Sequence, residues 1–260
     1  MTRAEAAAEW RKINRQRIGY FHKYRRVWFS YYESQGETIR ANVKDGKADP
    51  TANTFNTEDI ERITIAMHKD IGVKVARQTL VEVEMTQKAD DPQTVYTWEM
   101  YMAQYASADI DIFRSISDTG KAQAKRIIDR INQQAIDEGW GINEITDKID
   151  QQIKKEWRIA SKFNAERIAR TETLSAANKG AMIGAEQSSI PLKKIWLTAV
   201  DGRERQSHGA LHLTERLPNE RFANGLLQPL DKTSGNAGEI INCRCAVSFR
   251  STRISPLKPD

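Results

Sequence analysis

The chain has 260 residues, enough for one large domain or two modest ones, with 39% hydrophobic residues, a mean hydropathy of −0.64 and a net charge of +5. No run approaches the roughly 18 consecutive apolar residues that a bilayer span requires, and Glu5 and Glu9 stand where a signal peptide would carry its apolar stretch. The expectation is a soluble protein made in a cytoplasm, with no membrane partner.

The first predicted element is a long helix over about Arg3 to Asn42. Trp10, Ile13, Arg17, Tyr20, Tyr24, Trp28 and Tyr31 recur at three- and four-residue steps, which places most of them on one broad face. From Met1 to Tyr32 there are eight Lys/Arg against two Glu. Arg11, Lys12, Arg15, Arg17, Lys23, Arg25 and Arg26 therefore form a basic set that can meet phosphate or carboxylate. Two readings stand together: the first helix of a bundle with a solvated basic edge, or an arm that docks on a partner or on DNA. The polar, turn-rich stretch from Asp45 to Thr54 is a connector. Thr57 followed by Glu58 and Asp59 opens a second helix running to about Met85, with Ile60, Ile63, Met67, Ile71, Val75 and Leu80 in helical period. Asp90, Asp91 and Pro92 mark a break, and a third helix is expected over Thr94 to Ile116. The Asp118-Thr-Gly-Lys segment is read as the next break, before a helix over Ala122 to Glu138 that Gly139 ends. Asn143 caps a fifth helix whose apolar stripe is Ile142, Ile145, Ile149, Ile153 and Trp157, and a sixth follows over about Lys162 to Gln187.

Pro191 breaks the helical pattern, since it biases the residue before it away from helix. Beyond it the texture changes. Lys194 to Val200 and Cys245 to Phe249 are β-prone, with Gly, Pro, Asn and Asp at loop density between them. The expected fold is mainly α: an elongated multi-helix N-terminal body followed by a small α+β C-terminal module. Its divisions are a helical region 1–117 that docks on other components, a helical segment 118–190, and the module 191–260. The tail adds Arg250, Arg253 and Lys258 against Asp260.

Coordination chemistry is concentrated in that module. Cys243 and Cys245 are the two cysteines of the chain and are too close for an unstrained disulfide, so they are free thiols or ligands. On an extended strand their side chains project to the same face. His208 and His212 on one helical turn would point their imidazoles the same way. Together the four make a tetrahedral donor set for a structural zinc, with Asp201 or Glu239 as substitutes for one histidine. The bland alternative is hydrogen-bonded histidines beside two small buried hydrophobes.

The order of Arg167-Ile-Ala-Arg-Thr-Glu-Thr173, Asn178, Gly180, Trp196, Asp201-x-Arg-x-Arg-x-x-His208 and Glu239-x-x-Asn-Cys-Arg-Cys245 resembles the phage Mu protein F-like (head morphogenesis) family. Thr119-Gly-Lys and the segment Gly139 to Ile145 also fit it, so the resemblance covers about Asp118 to Phe249. It implies a minor capsid protein in the virion, inside the head near the portal and present in the host cytoplasm during assembly. Such a protein acts in head assembly, DNA packaging or DNA ejection. The partners it implies are the portal protein, viral DNA, and major capsid or scaffold protein. Some relatives carry a Cys-x-x-Cys where this chain has Arg205 and His208, and a further His before the Asn-Cys-Arg-Cys element, which strengthens the zinc reading. Here Arg205 cannot ligate and Ile240 stands in the other position, leaving the fourth ligand among His212, Asp201 and Glu239.

Arg167, Arg170 and Glu172 are read as helix charges leading into the module, with Arg170 pairing Asp201 or Glu239 to lock the two together. Arg203 and Arg205 flank the His/Cys cluster, where they neutralise it or meet DNA phosphate. The chain is expected not to be an enzyme. A metal-dependent nuclease would need adjacent histidines or a carboxylate cluster that the sequence lacks, and a four-ligand zinc has no open position for water. The chain ends fifteen residues after Cys245, so no fused toxin enzyme is expected. The remaining alternative is a DNA-binding module with no capsid role, resting on the basic N-terminal helix.

Overall fold

The computed structural model describes residues 1–84, 91–108, 110–234 and 236–252. Asp90 of the second expected break, Met85 at the expected end of the second helix, and Arg253, Lys258 and Asp260 of the tail lie outside the described residues. The chain is mostly helical and ends in a small three-stranded antiparallel sheet, as its periodicity requires. The helices are α1 (Arg3–Lys44), α2 (Thr57–Glu84), α3 (Pro92–Ser107), α4 (Ile110–Glu138), α5 (Ile142–Gln152) and α6 (Arg158–Glu186). A π-helical turn, Ile153–Trp157, joins α5 to α6. The C-terminal elements are β1 (Leu192–Leu197), α7 (Gln206–Gly209), β2 (Glu215–Arg216), α8 (Ala237–Ile240) and β3 (Ala246–Ser251).

One boundary differs from the expectation. The helix expected over 94–116 ends at Ser107, and α4 runs through the Asp118-Thr-Gly-Lys segment, where a break is expected from sequence. Gly120 stands within α4 because the Phe55 ring packs against its backbone, where a Cβ would lie 2.7 Å from Cε1. Glycine here answers a close approach and ends nothing. At the start of α3, Asp91 supplies the cap: its carboxylate accepts the Thr94 backbone N–H at 2.8 Å, with Pro92 in the first turn.

The chain folds into two compact units that interleave in sequence. Unit 1 comprises Met1–His22, Thr64–Ala108 and Arg170–Asp260; unit 2 comprises Lys23–Ile63 and Asp109–Ala169. Within unit 2 the core is aromatic. Trp28, Tyr32, Phe55 and Trp157 are buried, and the Phe55 ring lies 5.2 Å from that of Tyr32 and 5.8 Å from that of Trp157. Two of its donors are satisfied locally, Trp157 Nε1–H by the Tyr32 carbonyl (2.8 Å) and Ser117 Oγ by the Phe55 carbonyl (2.6 Å). Trp28 Nε1 and the Tyr32 hydroxyl, by contrast, are buried with no hydrogen-bond partner among the described residues. The helical stripe of α1 thus meets core and not solvent at Tyr24, Trp28, Tyr32 and Ile39.

Within unit 1, β1 is central, in the order β2-β1-β3, paired with β3 from Leu192↔Ser251 to Leu197↔Ala246. Period two divides its side chains. Ile195 and Leu197 pack with Ala6, Trp10 and Ile13 of α1, while Trp196 faces a separate cluster with Leu174, Phe222, Leu226, Cys243 and Cys245. Helices α2 and α6 approach so closely that a Cβ on Gly180 would overlap the Gly72 carbonyl.

Candidate metal centre and its supports

The short helix α7 presents His208 to the loop that leads into β3. His208 Nδ1 lies 3.4 Å from Cys243 Sγ and 3.5 Å from Cys245 Sγ, all three residues are buried, and their donor atoms fall within 4.8 Å of one another. Both sulfurs reach the imidazole although β3 begins only at Ala246, so the two cysteines lie in the loop before the strand and not on it, as alternation would require. The far ring nitrogen is also occupied: His208 Nε2–H donates to Glu239 Oε2 at 2.7 Å. That bond fixes the tautomer that leaves Nδ1 with a lone pair toward the sulfurs. Glu239, on α8, is held in turn by Ser207 and Asn224. Two thiols and one oriented imidazole suit a borderline-soft metal ion, and the three residues could hold one.

Electrostatics inside the cluster are strongly coupled. The contact with Cys245 leads in drawing the Cys243 thiol well below its ordinary value, helped by His208 and opposed by burial. Cys245 is pushed up, first by that same contact and then by burial. Burial works against a charged His208, but Cys243 and Glu239 outweigh it and raise its pKa.

The other residues expected at the site have different employment. His212 is not brought to the cluster: its Nδ1 accepts the Thr198 backbone N–H at 3.2 Å. The reason is local, because α7 stops at Gly209 and the two histidines never share a helical turn. Asp201 is clamped by Arg244, whose Nη2 lies 2.8 Å from Oδ1, and its pKa is lowered chiefly by that bond. Arg203 adds its backbone N–H to the same carboxylate. Arg205 Nη2 donates to the Ile241 carbonyl (2.6 Å) and Arg203, Arg205 and Arg244 line a cleft beside the cluster. The expected pairing of Arg170 with Asp201 or Glu239 is therefore corrected; its guanidinium sits 5.8 Å above the Phe21 ring. Arg167 lies over Phe163 and donates weakly to Asn164 at 3.4 Å, within unit 2.

The helical motif residues build a buried polar frame in unit 1. Glu172 is 1% exposed and accepts from His68 Nε2 (2.8 Å) and Lys232 Nζ (2.5 Å). Burial alone would raise its pKa, yet Lys232 and His68 outweigh that and hold it at about 2. Asn178 spans three segments: its amide donates to the Pro229 and Cys245 carbonyls, while its oxygen accepts from Val247 N–H and Arg17 Nη2. Thr171 Oγ1 accepts the Asn242 backbone N–H beside Cys243. Arg17 is a correction to the basic set on α1, being 4% exposed and bonded inward; burial lowers its pKa to about 10. Arg11, Arg15, Lys23, Arg25 and Arg26 are exposed, and Lys12 pairs with Glu82 at 3.1 Å. Sequence reasoning missed His68 and Lys232, and it read Trp10 only as part of the α1 face, whereas its Nε1–H donates to the Arg244 carbonyl (3.1 Å). The one signal was Glu172 itself, a charge of the Arg167–Thr173 motif that needs a partner if buried.

Residues 126–248 match the model of the family described as Phage Mu protein F like protein. The match takes in the helical motif, Trp196, Asp201, His208 and the Cys243–Cys245 loop, and begins after Thr119-Gly-Lys. No curated protein and no solved structure matches the chain. No helix among the described residues is long and apolar enough to cross a membrane. The matched segment, with the buried frame and His/Cys cluster built from it, is what this chain shares with the Phage Mu protein F like family.

Proposed function

We propose that the protein is a non-enzymatic minor head component of a tailed phage, seated inside the head at the portal and acting in head assembly and in DNA packaging or ejection. The observation that carries this reading is the family match over residues 126–248, together with what its motif residues do. Glu172, Asn178, Thr171 and Asp201 spend their polar atoms on buried or interlocking bonds within unit 1. Such a set builds a rigid module and commits these four side chains to structure. Zinc is the metal that two thiols and an imidazole favour, and its role here is to staple the loops of a small module.

Purified protein mixed with portal rings tests the reading. Co-sedimentation that survives high salt and nuclease is expected. A second reading, DNA binding with no capsid role, is favoured by the exposed Arg11, Arg15, Lys23, Arg25 and Arg26 of α1. It predicts retention on DNA whose affinity falls steeply with salt and is lost when these five are replaced by serine. Failure to bind portal rings at any salt would sink the head-protein reading.

A further inference from the structure

Three donors leave a tetrahedral ion one ligand short. The substitutes named in the sequence are committed elsewhere: His212 to Thr198, Asp201 to Arg244 and Arg203, and Glu239 to the opposite nitrogen of the His208 ring. Glu204 is different. It lines the same cleft as His208, Cys243 and Cys245, and it is the one carboxylate there; the other charged walls are Arg203, Arg205 and Arg244. Its Oε2 is shut away from water and has no hydrogen-bond partner. A carboxylate oxygen in that state is unfavourable unless a cation meets it.

We propose that Glu204 is the fourth ligand, closing a Cys243-Cys245-His208-Glu204 zinc site. The proposal rests on the zinc reading above and adds the residue that completes it. Glu204 immediately precedes Arg205, the cap of α7, and so stands four residues before His208. Its oxygen is outside the set of three donors within 4.8 Å, so ligation requires rotation about the glutamate side-chain torsions. Gly209, whose missing Cβ would lie 3.9 Å from Glu204 Cγ, puts no side chain in the way. Two thiolates and a carboxylate around a divalent ion leave one net negative charge. The arginines on the cleft walls supply the opposite sign.

The test uses the full chain loaded with zinc and, separately, with cobalt. Wild-type protein is expected to hold one zinc per chain by elemental analysis and to give the absorption of tetrahedral cobalt with thiolate ligands. Glu204→Gln should weaken zinc, measured by competition with a chromophoric chelator, by more than the roughly 10- to 100-fold typical of losing an outer partner. Its cobalt spectrum should lose tetrahedral intensity, and Glu204→His should restore both. Unchanged affinity and spectrum in Glu204→Gln would overturn the assignment of Glu204 while leaving the zinc reading intact. A wild-type chain that takes up neither zinc nor cobalt would overturn both.

Discussion

Unit 1 and unit 2 are stabilised in contrasting ways. The core of unit 2 is a stack of Trp28, Tyr32, Phe55 and Trp157, where shape and apolar area dominate and the Trp157 and Ser117 donors find backbone partners nearby. Unit 1 has an apolar core too, but its segments are tied by buried charges and amides: Glu172 with His68 and Lys232, Arg17 with Asn178, and the His/Cys cluster with Glu239. The difference teaches where specificity resides. Apolar packing tolerates exchange of one hydrophobe for another, whereas a buried ion group is satisfied in one arrangement only.

The sharpest way to break that contrast is to remove one member of the buried group. Glu172→Gln keeps the side-chain shape but leaves Lys232 with no counter-charge, and is expected to cost roughly 3–5 kcal/mol in chemical denaturation. A loss below about 1 kcal/mol would mean that unit 1 does not depend on its ion group.

Acid should act on the same group. The folded pKa of Glu172, about 2, lies below its ordinary 4.5, so its stabilisation is present above 4.5 and drains away as pH falls from there toward 2. Burial also lowers the pKa of His68 beneath its ordinary 6.5, so the unfolded chain takes up a proton in this range that the native chain does not. Both signs agree: stability declines as pH drops below about 6.5. Hydrogen exchange at neutral and acid pH should show greater loss of protection around residues 64–84 and 170–186 than around Phe55. In unit 2 the acid response comes from Asp150, whose pKa Arg40 holds at about 2, with Asp49 and Asp59 also lowered by their hydrogen bonds. Equal loss in both units would remove the contrast.

A smaller effect is expected from Trp157→Phe, which retains the ring stack but removes the indole donor to the Tyr32 carbonyl. It should cost about 1–3 kcal/mol and leave the pH dependence unchanged. Smallest of all is Asp201→Asn, at about 0.2–1 kcal/mol, because its clamp with Arg244 is part-exposed and screened. A larger loss measured by thermal melting would show that this surface clamp, and not only the buried group, holds the Cys243–Cys245 loop.

Much of the fold was legible in the sequence. Three- and four-residue apolar steps foretold α1, α2 and the α5–α6 run, because a helix must bury one face whatever it packs against. The change of texture at Pro191 located the start of the sheet module, whereas the two sulfurs meet at His208 from the loop before β3 and not through strand alternation. Glycine misled at Gly120, where a helix interior yields to a ring approaching from Phe55, 65 positions earlier in the chain. Spacing misled at His212, because four residues mean one turn only if the helix continues. Composition misled at Arg17, a cation counted with the exposed basic set that is in fact buried against Asn178.

Local order and the identity of the donors were thus determined by the sequence itself, through backbone geometry that needs only near neighbours. What only the tertiary structure decided was partnership: His68 and Lys232 for Glu172, Arg244 for Asp201, Glu239 for His208, and the orphaned oxygen of Glu204 beside the cluster. These pairs join positions from 31 to 104 residues apart. No local rule reaches that far, because which charges are buried together depends on how the helices close on one another.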